Sequence, residues 1–535
     1  MEKMENCGDR ACLERVHAHT LATLQKQNIP LLPEPWTLVD ARATLTLKLP
    51  DHGLGIEKTT DHLLQDIAPS LNGSSLSPNY YGFVTGGITP AARIAESIVS
   101  LYDQNPQVHL PDQTVASNVE DKALRLLMDL LHLDQNAWSG VLSTGGTASN
   151  ILGLACGREY VINQRIRSRQ GENPPDTVGS LGLLRACSIA GVEDVHIYTT
   201  MAHSSLCKAS SILGLGRSRV QHVGRSSSDI AFDLRELERN LEINHLNSVS
   251  IVVVSCAEVN TGLFATDGYE QLQVLRTLCD KYGAWLHVDG GKHHEVLHHG
   301  LERHQQLIPP VAFGLFARLL HEFPEFEKVA QGAEGMELAD SIAGDGHKLL
   351  NVPYDCGFFF SHHKGVSQQV FQNPNAAYLN TANAVTDAIQ SPLNTGIENS
   401  RRFRALPVYA SLMAYGRDGY RDMLKRQIRF ARAVAMYVYD HDALELLPEI
   451  VFHSKDRVLQ DIFIIVIFRA KDKELNNELV KRINTGSKMY VSGTVWDGSP
   501  ASRIAVSNWQ VNPERDFSIV KSVLDDVLRS WSQET

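Results

Sequence analysis

Between about residue 140 and residue 360 the chain alternates apolar, strand-like runs with amphipathic stretches, and this alternation limits the fold more than any other feature. SGVLSTGGT leads into a helical stretch from Ser149 to about Arg167, with Leu152, Ala155, Cys156 and Tyr160 on one face. VHIYTT (195–200) reads as a strand, Ser204 to Leu213 as a helix, and VQHVG (220–224) as a short strand. FDLRELERNLEINHL is amphipathic, and SIVVVSCAEVN (250–260) is a buried-strand run rich in Val and Ile. A helix over about 268–282 then precedes AWLHVD (284–289). Strands alternating with helices of about 10–15 residues predict an α/β fold with a doubly wound, mostly parallel sheet. Ligands in such sheets sit beyond the carboxyl ends of the strands.

On either side of this region the pattern changes. The first hundred residues are punctuated by Pro, Asn and Gly, and SPNYYGFVTGGITP (77–90) reads as a loop. A helical pattern follows, with Val119, Ala123, Leu124, Leu127, Leu130 and Leu131 at three- and four-residue spacing. From about 396 come long helical patterns near 405–440, the strand-like DIFIIVIF (461–468) and a final amphipathic helix over 515–531, which together predict a smaller α+β domain. The division expected is an N-terminal segment (1–110), a large domain (111–395) and a small C-terminal domain (396–535). A length of 535 residues holds such units with cores of their own.

Composition narrows the function. With 50 Lys+Arg against 61 Asp+Glu the net charge is −11, and no basic run is present, so a nucleic-acid partner is not expected. No apolar stretch is long enough to cross a membrane, and MEKMENCGDR has no apolar signal core. Eight scattered Cys without a C-x-x-C pair suit reduced thiols in the cytoplasm.

Four features fall at strand ends. In GDGHKLLNVPYDCG (344–357), Lys348 lies in a turn between apolar runs. It reads either as a surface lysine or as a buried amine able to form a Schiff base. Ser143-Thr-Gly-Gly-Thr-Ala-Ser149 opens a helix after a strand, which makes it either a plain N-cap or a cradle for a phosphate. No G-K-[ST] follows, so it is not a Walker loop. Asp289 ends AWLHVD, either capping a helix or holding a heterocyclic nitrogen protonated. His203 follows VHIYTT, either structural or stacked on a planar ring. An anion site, a stacking partner, a counter-ion and a Schiff-base lysine together suit pyridoxal 5'-phosphate.

With these residues the chain resembles the group II pyridoxal-phosphate-dependent amino acid decarboxylases, the family of aromatic amino acid and glutamate decarboxylases. The similarity runs from about 77 to 530 through YYGFVTGG (80–87), STGGTASN (143–150), AHSSLCKA (202–209), VNTG (259–262), WLHVDG (285–290), GDGHKLLNVPYDCG and SRRFRALPVYASL (400–412). The resemblance implies a fold of the aspartate-aminotransferase type (fold type I) and a lyase that decarboxylates an L-amino acid to its amine. Lys348 would carry the cofactor as a Schiff base, and His347 with the Gly146–Thr147 backbone would hold the phosphate. His203 would stack on the ring and take part in catalysis, and Asp289 would pair with the pyridine nitrogen. Tyr80, Tyr81 and Phe83 would line the pocket. It further implies a homodimer with active sites at the interface and the N-terminal segment packed there. No bound metal is expected.

The chain departs from the family pattern twice. Aromatic decarboxylases carry on a mobile loop a Tyr that protonates the substrate's α-carbon, whereas AVTDAIQSPLNTG (384–396) has none, and Tyr378 is the nearest. Loss of that Tyr can divert the reaction towards decarboxylation-dependent oxidative deamination. Secondly, after HVDG the family continues Ala-Phe-Gly, but here residues 291–311 intervene before AFGLFARLL. Removing them restores the register, and Gly291-Lys292 can be encoded by a donor-like GGTAAG, so the segment reads as an intron carried into the frame. An insertion directly after Asp289 also allows another class of function, a catalytically impaired homologue serving as a binding or regulatory subunit. The segment holds five of the 22 His, and His294-Glu295-Val296-Leu297-His298 matches the zinc-protease pattern H-E-x-x-H with His304 beyond it. Its glycine is one place early for the full motif, so the match reads as a decoy.

Overall fold

The computed structural model describes residues 2–26, 29–171, 177–200, 204–224, 230–289, 313–373, 389–449 and 451–534. Twelve strands occur among them: β1 (Tyr80–Tyr81), β2 (Ser139–Ser143), β3 (Asp194–Thr199), β4 (Val220–His222), β5 (Ser248–Ser255) and β6 (Trp285–Asp289), then β7 (Ser341–Asp345), β8 (Gly357–Ser361), β9 (Leu444–Leu447), β10 (Ile465–Ala470), β11 (Tyr490–Trp496) and β12 (Ser499–Ala505). Seven of these form the large sheet in the order β2-β8-β7-β6-β5-β3-β4. Every neighbouring pair from β7 to β4 is parallel, and β8 alone runs against its neighbours. The fold is therefore α/β with a mostly parallel sheet.

The sequence explains the centre of this sheet. Helices cover both faces, so its strands are buried on both sides and lose the polar alternation of an exposed sheet. All eight residues of β5, SVSIVVVS, are buried. Helix Gly146–Gln170 crosses one face, close enough that a Cβ on Gly153 would stand 2.3 Å from the His287 ring and one on Gly157 would stand 2.9 Å from Trp285. Only glycine permits that approach, and it brings the helix's first turns against the end of β6.

The smaller sheet has the order β1-β11-β12-β10-β9. Its edge strand is β1, paired in parallel with β11 through Tyr80–Tyr490 and Tyr81–Val491. The stretch read as a loop thus contributes a strand to the C-terminal unit. Across the two units, Arg401 makes a bidentate pair with Glu120 at 2.7 and 2.8 Å, both side chains buried. Arg404 binds Asp355 at 2.9 and 3.2 Å. These are the arginines of SRRFR, and here they clamp the start of the long helical region Ala405–Asp440 to the large domain. That region is interrupted at Gly416 (φ 56°), a conformation open to glycine at little cost.

Candidate active site

The strand ends β2, β6 and β7, the first turn of helix Gly146–Gln170 and the β1 loop converge on Lys348. β7 ends at Asp345 and runs straight into a short helix, Gly346–Leu349, so His347 and Lys348 are buried by the local chain path. Lys348 is 1% exposed. Burial lowers its pKa to about 8, although the neighbouring Asp345 carboxylate opposes the shift. Lys348 Nζ lies 3.3 Å from Asp345 Oδ2, and His347 Nε2 lies 3.7 Å from Asp345 Oδ1. Burial also lowers the pKa of His347, and neither of its ring nitrogens has a hydrogen-bond partner.

The glycine turn lies beside this pair. A Cβ on Gly357 would stand 2.6 Å from Gly145 Cα, so β8 and the turn touch backbone to backbone. The Gly146 amide, expected to serve a phosphate, instead donates to Asp345 Oδ1. Thr147 follows in the same first helical turn. At the end of β6, Asp289 is 2% exposed and accepts a hydrogen bond from Asn150 Nδ2 at 2.9 Å. Lys348 lies within electrostatic reach of Asp289.

Alternation along β1 separates two of the tyrosines expected at the pocket. Tyr80 stacks on Tyr490 (ring centroids 4.7 Å apart) and stands electrostatically close to Tyr354. Tyr81 turns the other way and is fully buried against Phe430. Phe83 is half-buried, with a left-handed backbone (φ 57°). Gly86, three residues on, would bring a Cβ to 2.3 Å from the Lys348 carbonyl. His203, Tyr378 and the segment 291–311, including His294, Glu295, His298 and His304, lie outside the described residues. So does 384–388 of the stretch compared with the mobile loop. No group of metal-ligating side chains occurs among the described residues.

Three residues were not singled out from the sequence. Asp345 is one, visible there only as a carboxylate three places before Lys348. Arg503 on β12 is another. It is fully buried, donates from Nη1 to the Val259 carbonyl at 3.1 Å, and leaves Nε and Nη2 without a partner. Burial lowers its pKa to about 10, and its charge helps to lower that of Lys348. A lone Arg in the apolar run RIAV was the available signal. The third is Tyr354, whose ring lies 4.3 Å from that of His347 and whose phenol is hydrogen-bonded to Thr85. The residue is 55% exposed overall, and desolvation of the phenol against its neighbours raises its pKa.

Taken as a donor set, the buried amine, the imidazole whose nitrogens have no hydrogen-bond partner, the helix N-terminus and the anchored carboxylate fit pyridoxal phosphate. Together with the sheet order, they define a fold type I pyridoxal-phosphate protein. The model of the "Pyridoxal-dependent decarboxylase conserved domain" matches residues 324–454. An L-2,4-diaminobutyrate decarboxylase of Acinetobacter baumannii is 25% identical over 64% of this chain and 60% of its own length. A histidine decarboxylase of Drosophila melanogaster is 24% identical over 99% of this chain and 52% of its own. An aromatic-L-amino-acid decarboxylase of Bacillus atrophaeus is 20% identical over 92% and 90%. The chain thus spans about half to nine-tenths of the length of these relatives. Among solved structures, Oryza sativa TDC with PLP and tryptamine superposes with a TM-score of 0.74 at 19% identity over 98% of both chains. Mouse CSAD in apo form gives 0.75 at 17% identity over 98% of this chain and 99% of that one. The chain is thus similar to the group II pyridoxal-phosphate-dependent decarboxylases, through a family match confined to residues 324–454 and relatives at 20–25% identity.

Proposed function

We propose that the protein decarboxylates an L-amino acid to its amine with pyridoxal phosphate carried on Lys348. The observation that carries this reading is the buried Lys348 amine, set beside the His347 ring, whose nitrogens have no hydrogen-bond partner, and across from the anchored Asp289. Bound there, the cofactor supplies the aldehyde for the Schiff base and a ring that takes up the electron pair left when CO2 departs. His347 and the Gly146–Thr147 turn would hold its phosphate, with Asp345 released from the Gly146 amide as the anion arrives. Asp289 would hold the proton on the pyridine nitrogen, and His203 would stack on the ring. The buried Arg503 guanidinium lies within electrostatic reach of Glu258, yet its Nε and Nη2 have no hydrogen-bond partner, which supports Arg503 as the anchor for the substrate carboxylate.

Tyr80 and Phe83 would line the substrate side, and Tyr354 would hold the proton returned to the α-carbon. That role would otherwise fall to a mobile-loop Tyr, which the stretch 384–396 lacks. The missing loop Tyr favours a second outcome from the same site, oxidative deamination to an aldehyde. Product analysis separates the two, since the amine route consumes no O2, whereas the aldehyde route releases ammonia and hydrogen peroxide.

The proposed assembly is a cytoplasmic homodimer. Leu21, Trp36, Val39, Leu47, Leu49 and Leu101, all within the N-terminal segment, are exposed apolar side chains of the kind that a second copy would cover. No described helix is long and apolar enough to cross a membrane, and no disulfide joins the described cysteines. The decisive experiment is spectroscopic. The purified chain with pyridoxal phosphate is expected to absorb near about 420 nm, and Lys348→Ala to abolish that band. A chain that shows no such band, with or without residues 291–311, overturns the cofactor assignment.

A further inference from the structure

Asp289 is the end of a buried chain of hydrogen bonds. Trp285 Nε1 donates to Ser341 Oγ at 2.9 Å, and Ser341 Oγ lies 2.8 Å from His287 Nδ1. His287 Nε2 lies 3.1 Å from Asn150 Oδ1, and Asn150 Nδ2 donates to Asp289 Oδ1 at 2.9 Å and to Ser205 Oγ at 3.1 Å. Trp285, His287, Ser341 and Asn150 are all inaccessible to solvent. The links join β6, β7 and the first turn of helix Gly146–Gln170, and Gly153 makes them possible by letting that helix lie against the His287 ring.

The chemistry of the groups fixes its direction. An ionised carboxylate only accepts and an indole N–H only donates. Asp289 therefore takes the Asn150 amide N–H, which leaves Asn150 Oδ1 to accept, so His287 must carry its proton on Nε2. Burial lowers the His287 pKa to about 3, so the ring is neutral and Nδ1 accepts. The Ser341 hydroxyl then donates to Nδ1 while accepting from Trp285. Every donor in the chain points towards Asp289.

Such a chain answers a specific problem. Burial favours the neutral form of a carboxyl group, whereas donors aimed at it favour the ion. An ionised Asp289 is what a protonated pyridine nitrogen needs as its partner. We infer that Asn150 and His287 are positioning residues that hold Asp289 ionised and aimed at the ring nitrogen of a bound pyridine, with Ser341 and Trp285 fixing the tautomer of His287. This rests on the pyridoxal-phosphate reading of the site.

The test compares two ligands on the full chain: pyridoxal phosphate and its 1-deaza analogue, in which a C–H replaces the ring nitrogen. Wild-type protein is expected to bind pyridoxal phosphate more tightly than the analogue. Asn150→Leu is expected to lose about 10- to 100-fold in affinity for pyridoxal phosphate, the range set by one hydrogen bond to a charged group, and to bind the analogue as wild type does. Ser341→Ala, which leaves the Asn150 amide in place, is expected to lose less. If Asn150→Leu keeps the wild-type ratio between the ligands, whether affinity is retained or lost equally for both, the positioning role is overturned. If wild-type protein binds neither ligand, the reading of the site fails and the inference with it.

Discussion

Lys348 is a cation placed where its surroundings favour an amine. Only the amine attacks an aldehyde, and an ordinary lysine supplies it mainly above about pH 10.4. With burial lowering the Lys348 pKa to about 8, the amine form accumulates as pH rises through about 8. Stopped-flow capture of pyridoxal phosphate by cofactor-free protein should therefore accelerate with a midpoint near that pH, and a midpoint at or above 10 contradicts the burial. Asp345 pulls the other way, because a carboxylate beside an ammonium stabilises the charge. Asp345→Asn removes that support, so the midpoint should move down by about one pH unit or more. Arg503 is open to a kinetic test. Losing one partner of a buried charge pair costs about 2–5 kcal/mol, so Arg503→Met should lower kcat/KM by about 30-fold or more, largely through KM. An unchanged KM would remove Arg503 from the substrate site.

At the scale of elements, helix Gly146–Gln170 and β6 work as a unit whose separation is set by two glycines. Gly153→Ala places a methyl group where the His287 ring stands. Overpacking of that kind costs about 1–3 kcal/mol, which urea unfolding of the cofactor-free chain measures, and it should also weaken cofactor binding by shifting Asn150 from Asp289. Gly171→Ala, where a Cβ meets nothing within 4 Å, tests the same helix without the clash, though its φ of 102° adds local strain. The unit was half legible in the sequence. AWLHVD and SIVVVS read as strands because burial on both faces leaves continuous Val and Ile runs, and STGGTAS marked a helix start through its glycines. The contact of Gly153 with His287 was not legible, because it joins positions 134 residues apart that share no periodicity. The same holds for β1: two residues carry no pattern, and their pairing to β11 spans some four hundred positions. The Asp345 bond to Gly146 escaped for the opposite reason, since a lone Asp before His-Lys looks like a turn residue until the strand and helix ends are brought together.

For the whole molecule, the question is what residues 291–311 do to a site whose carboxylate lies two positions before them. The described residues on either side meet at a single point. Cys256 N donates to the Asp289 carbonyl at 2.9 Å, and Gly314 N donates to the Cys256 carbonyl at 3.2 Å. A Cβ on Gly314 would stand 2.4 Å from that same carbonyl oxygen, so the chain re-enters the large domain beside the place where it left. Phe313, Leu315 and Phe316 are buried immediately after the return. Deleting 291–311 leaves Gly290, Ala312 and Phe313 to join Asp289 to Gly314. Three residues span about 10 Å when extended, and two neighbours of one residue lie well within that reach. The shortened chain also carries HVDG-AFG in the family's register and keeps every described contact of Asp289. Closing a short loop in place of a long one costs little entropy and lowers that of the unfolded chain. The deletion is therefore expected to fold at least as stably as the full chain, to melt at the same temperature or higher in calorimetry, and to bind pyridoxal phosphate with equal or greater occupancy by absorbance. If the segment instead belongs to the working protein, the deletion should lose cofactor or stability, and reads of the transcript should run through it unspliced.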